Sequence, residues 1–160
     1  GDGNPKSNLM IITDSPNQDE DRDGLPFVGE VGDLFNKMFG AINKKRETDF
    51  YIASLIPWRI LGNRKPNEQE IALFIPFLKK HIELVSPRII VSLGNTVSQT
   101  LLASNEGMNK LRGRWQKIII SGKSIDVIPT FHPSYLLKQP NAKKNTWLDL
   151  LEIKRKLDTF

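Results

Sequence analysis

The 160-residue chain contains no cysteine and only two histidines, His81 and His132. The missing thiols exclude disulfides, thiolate-bound zinc, cysteine-ligated iron–sulfur clusters and a cysteine nucleophile, so neither a metal nor a cofactor is expected. No run of about 18 apolar residues occurs, and no basic-then-apolar leader opens the chain. Neither membrane insertion nor export is therefore expected, and the chain reads as cytoplasmic. Internal repeats and low-complexity tracts are also missing.

What is present suits one globular domain spanning residues 1–160. Hydrophobic residues make up 39% and charged residues 26%, enough apolar surface to drive folding without staples. Residues 1–7 are turn-rich and read as a flexible leading segment. Twenty-three Lys and Arg against 18 Asp and Glu leave a net charge of +5, which favours an anionic partner such as nucleic acid. The acids gather in residues 14–33. The C-terminal third is basic, with Arg112, Arg114, Lys138, Lys143 and Lys144 among its cations, and such an uneven surface suits a phosphate backbone.

Apolar runs at residues 8–13, 50–56 and 88–93 have the pattern of strands buried on both faces. Amphipathic spacing predicts helices over residues 31–42, 67–85, 95–103 and from about 142, with Pro76 kinking the second. Residues 115–121 and 125–130 read as two further strands. Strands alternating with helices imply an α/β fold, a three-layer α/β/α sandwich around a central, mainly parallel four-stranded sheet. Ligands bind beyond the carboxyl ends of such strands, where Asp14, Ser54, Gly94 and His132 fall.

Three segments resemble the type of uracil-DNA glycosylase that usually carries an iron–sulfur cluster, known as family 4. The first is Thr13-Asp14-Ser15-Pro16-Asn17 with Glu20-Asp21 and Gly24-Leu25-Pro26-Phe27-Val28-Gly29. The second is Tyr51-Ile52-Ala53-Ser54 with Arg59, Gly62-Asn63-Arg64 and Pro66. The third joins Leu111-Arg112-Gly113-Arg114-Trp115 to His132-Pro133-Ser134-Tyr135-Leu136-Leu137, then Ala142-Lys143-Lys144 with Trp147 and Asp149.

The resemblance implies a monomeric base-excision repair enzyme that flips uracil, or another deaminated base, out of DNA and hydrolyses its glycosidic bond. Phe27 would stack on the base, and Ser15 and Ser54 would read its edge. Asp14 would orient water, and His132 would stabilise the leaving anion. Leu136 or Leu137 would wedge into the duplex, while Arg112, Arg114, Ser134, Lys138, Lys143 and Lys144 would contact DNA. No lysine matches a Schiff-base role, so strand cleavage is not expected.

This chain departs from the family at four positions. Asp14 stands for a longer Glu, Ser54 for an Asn whose amide offers both donor and acceptor, and Trp58 and Phe74 for two cluster cysteines. A catalytically degenerate DNA-binding protein is the alternative these departures leave open. Asp14 before Ser-Pro also reads as a turn cap, and Glu20, Asp21 and Asp23 as a solvated acidic loop.

Overall fold

The computed structural model describes residues 1–160 apart from the side chain of Asn63. Its strands are β1 (Asp2–Gly3), β2 (Leu9–Thr13), β3 (Tyr51–Ser54), β4 (Ile89–Leu93), β5 (Gln116–Ile120) and β6 (Lys123–Thr130). They form one sheet in the order β1-β3-β2-β4-β6-β5. The four central strands β3, β2, β4 and β6 are mutually parallel, as expected, and β1 and β5 add antiparallel edges. The sheet thus has six strands around the expected four. Residues assigned to a leading segment supply one edge, since Asp2 pairs with Ile52 and Gly3 with Tyr51.

The helices are α1 (Gln18–Asp23), α2 (Gly29–Gly40), α3 (Glu68–Val85), α4 (Asn95–Leu102), α5 (Met108–Leu111), α6 (Pro133–Lys138) and α7 (Lys143–Leu157). Strand alternation sorts the core into two layers. Leu9, Ile11, Ile89, Val91 and Ile128 face one side, where they pack with Phe35, Phe39, Leu136, Leu150 and Ile153 from α2, α6 and α7. Met10, Ile12, Ile90 and Val127 face the other, against Leu78, Ile82 and Val97 from α3 and α4. That is the three-layer sandwich. Helix α3 runs unbroken through Pro76.

The register of the parallel strands places their carboxyl ends level. Thr13 lies beside both Ser54 and Leu93, and Leu93 beside Thr130. Side chains that follow these residues therefore share one rim.

Candidate active site

A cavity of about 670 Å³ opens on that rim, lined among others by Asp14, Ser15, Gly94, His132, Ser134 and Lys138. Three of its walls come from chain reversals immediately after β2, β4 and β6, so the parallel topology builds it from residues distant in sequence.

Asp14 is half-buried, and its Oδ1 accepts the Val97 N–H at 2.8 Å. Val97 is the third residue of α4, so the carboxylate caps that helix from a neighbouring strand rather than its own turn. Gly94 makes the approach possible, because a Cβ there would lie 2.9 Å from Asp14 Oδ2. Oδ2 makes no hydrogen bond among the described residues. Burial pushes the carboxyl pKa from 3.8 up to about 6, opposed by the Val97 N–H and by the nearby Lys65 charge.

His132 caps α6. Its Nδ1 accepts the Ser134 backbone N–H at 3.1 Å and lies 2.7 Å from Ser134 Oγ. Burial lowers its pKa from 6.5 to about 4, so the ring is neutral at pH 7. A backbone amide can only donate, so Nδ1 carries the lone pair and Nε2 the proton. The Nε2–H has no protein acceptor among the described residues. Ser134 thus orients the histidine.

Phe27 lies beside this cavity, outside its lining. Its ring is 2% exposed, parallel to Phe35 at 4.1 Å, and 5.5 Å from the His132 ring. Ser54 lines a separate cavity of about 210 Å³, and Pro16 and Glu20 border both spaces.

Two of the expected contact residues are engaged within the fold. Leu136 is 1% exposed in the core beneath α6, so it cannot act as a wedge from this position. Leu137 is half-buried, and the residues of α6 at the cavity are Ser134, Lys138 and Tyr135, the last stacked on Phe131 at 4.8 Å. Arg112 grips the buried Asp149 with Nε at 3.2 Å and Nη2 at 2.8 Å, and it also donates to the Asn145 carbonyl. Its fork is occupied internally. Arg114, Lys138, Lys143 and Lys144 are exposed and make no ion pair among the described residues. Lys117 and Lys156 share Asp126, and Arg155 pairs with Glu152, so part of the basic C-terminal third is neutralised.

Glu20 is the main residue the sequence reading misplaced. It opens α1 in a capping box with Asn17, is 6% exposed, and accepts the Phe27 N–H at 3.0 Å. Burial raises its pKa. The Asn-x-x-Glu capping signature was the available signal.

A cysteine-ligated cluster does not fit these residues. Trp58 and Phe74 meet edge to face, ring centroids 5.2 Å apart, and neither ring offers iron a thiolate. Among the described residues no group of three or more His, Asp or Glu could hold a metal ion, and no helix is long and apolar enough to cross a membrane.

The sequence profile of the Uracil DNA glycosylase superfamily matches residues 1–151. The type-4 uracil-DNA glycosylase of Saccharolobus solfataricus is 34% identical over 99% of this chain and 76% of its own length. That of Thermotoga maritima is 36% identical over 86% of this chain and 70% of its own. A DNA polymerase of Bacillus phage SP01 is 28% identical over 88% of this chain but 15% of its own length, so there the matching stretch is a small part of a longer protein.

Proposed function

From the premise that this chain belongs to the uracil-DNA glycosylase superfamily, we propose that it hydrolyses the N-glycosidic bond of uracil in DNA and leaves an abasic site. The observation that carries this reading is the pairing, on one cavity, of a carboxylate and a neutral histidine that each keep, among the described residues, one unpartnered polar atom, Asp14 Oδ2 and the His132 Nε2–H.

As the bond breaks, negative charge develops on the base. The His132 Nε2–H donates to the uracil carbonyl that receives it, and no proton transfer is needed, because hydrogen bonding to a growing charge in a dry site suffices to lower the barrier. Asp14 Oδ2 accepts a hydrogen bond from the attacking water, aims its oxygen at the sugar carbon and takes its proton as the C–O bond forms and the base departs as the anion. Phe27 gives the base a flat apolar face, and Ser15 and Ser54 meet its polar edge. Lys138, Lys143, Lys144 and Arg114 hold phosphates, and Leu137 with Tyr135 fills the space the base leaves. The protein works as a monomer, in the cytoplasm at the nucleoid.

A degenerate DNA-binding role has one observation in its favour, the cover over the Phe27 ring. One assay separates the two. The protein is incubated with an oligonucleotide carrying a single uracil and then treated with alkali. A break at the uracil, absent when alkali is omitted, supports the glycosylase. An intact strand after full binding leaves only the DNA-binding role.

A further inference from the structure

Phe27 has a left-handed backbone at φ 52°, a conformation aromatic side chains rarely adopt. Three groups hold it there. The Glu20 carboxylate accepts its N–H at 3.0 Å, and Arg46 Nη1 donates to its carbonyl at 2.9 Å while Nη2 donates to the Pro26 carbonyl. Gly32 leaves room for the same carbonyl, which a Cβ there would approach to 2.3 Å.

Arg46 is itself fixed. Its Nε donates to Asp2 Oδ2 at 2.8 Å, and its guanidinium lies 5.7 Å from the centroid of Phe35, the ring that backs Phe27. Its side chain is 16% exposed. Like Phe27 it is outside the lining of both the main cavity and the Ser54 cavity, and the two residues share a third cavity of about 460 Å³, so a base held in either of the first two spaces does not meet the guanidinium directly.

We propose that Arg46 is a positioning residue whose guanidinium fork, tied to Asp2 on the edge strand β1, sets the plane of the Phe27 platform for the flipped base. A planar fork holds two successive carbonyls and the Asp2 carboxylate in one fixed geometry, which the rotatable donors of an ammonium do not impose. The edge strand thereby acquires a task at the site. This inference rests on the glycosylase reading of the same pocket.

The test is a double-mutant cycle on uracil release from an oligonucleotide, with Phe27→Ala, Arg46→Gln and the two combined, assayed well below each variant's Tm. Arg46→Gln should raise KM about fivefold to tenfold, the range an aromatic stacking contact is worth, with kcat changed less. In the Phe27→Ala background the same substitution should cost nothing further. Arg46→Lys keeps the charge but loses the fork, so it should behave like Arg46→Gln. If Arg46→Gln does not fold, Asp2→Ala, which frees the Nε, should raise KM in the same direction by about twofold. Additive losses in the cycle, an unchanged KM in Arg46→Gln, or full rescue by Arg46→Lys would overturn the proposal while leaving the glycosylase intact. A wild-type protein that releases no uracil overturns both.

Discussion

Asp14 and Asp149 are the same residue in two settings, and burial raises the pKa of both. Asp149, 2% exposed on α7, has each oxygen occupied. Arg112 reaches both oxygens, and Thr130 at the end of β6 donates to Oδ2 at 2.7 Å. Gly113 completes the fit, since a Cβ there would lie 2.5 Å from Oδ1. Asp14 has a backbone N–H on one oxygen and, among the described residues, no donor on the other. A saturated carboxylate joins α7 to the sheet, whereas a half-saturated one keeps an acceptor for a water or a substrate. What separates scaffold from chemistry here is the number of unspent lone pairs rather than burial.

The largest effect should come from breaking the saturated member. Asp149→Ala strands the Arg112 charge and the Thr130 hydroxyl, and is expected to cost about 3–5 kcal/mol in urea unfolding. A loss under about 1 kcal/mol would remove Asp149 from the scaffold.

The pH dependence tests the other member. The folded pKa of Asp14 exceeds its ordinary 3.8, so the folded state holds more protons between 3.8 and about 6, and this group's contribution to stability falls as pH rises through that window. Activity should rise over the upper part of the window, with kcat/KM half-maximal near pH 6, because only the carboxylate can accept from water. His132 has the opposite sign. Its folded pKa is depressed from 6.5 to about 4, so its contribution to stability is lost as pH falls between those values, and it should give no rate inflection above pH 5. A limb in kcat/KM near pH 6.5 that persists in Asp14→Asn would assign the titration to the histidine.

Two smaller effects sharpen the picture away from the carboxylates. Ser54→Asn supplies an amide with a donor and an acceptor, and is expected to raise kcat/KM on uracil about tenfold. No change would mean that the base never reaches the smaller cavity. Replacing Lys143 and Lys144 together by Ala should lower the slope of log affinity against log salt by about 2, and an unchanged slope would move the DNA path off α7.

The rim was legible because buried apolar runs end abruptly at Asp14, Ser54, Gly94 and Phe131-His132, and parallel topology leaves little freedom in where such ends meet. The ion pair of Arg112 was not legible because its partner Asp149 is 37 residues away, and no local pattern announces a tertiary ion pair. The choice between Leu136 and Leu137 was not legible because six residues of α6 give too little periodicity to say which leucine points inward. For Glu20, the capping signature was masked by acidic neighbours that favoured a solvated loop. The separation of Ser54 from Asp14 depends on where Pro16 and Glu20 pack, which strand patterns do not encode.

The contrast between the aspartates is tested most directly by uracil release and thermal stability measured side by side for Asp14→Asn and Asp149→Asn at pH 7.5. Asp14→Asn keeps an acceptor for the Val97 N–H and removes a buried charge, so it should gain about 1 kcal/mol of stability while losing at least about a hundredfold in release. Asp149→Asn should lose stability and keep most of its release rate. An Asp14→Asn variant that releases uracil as fast as the wild type would contradict the account.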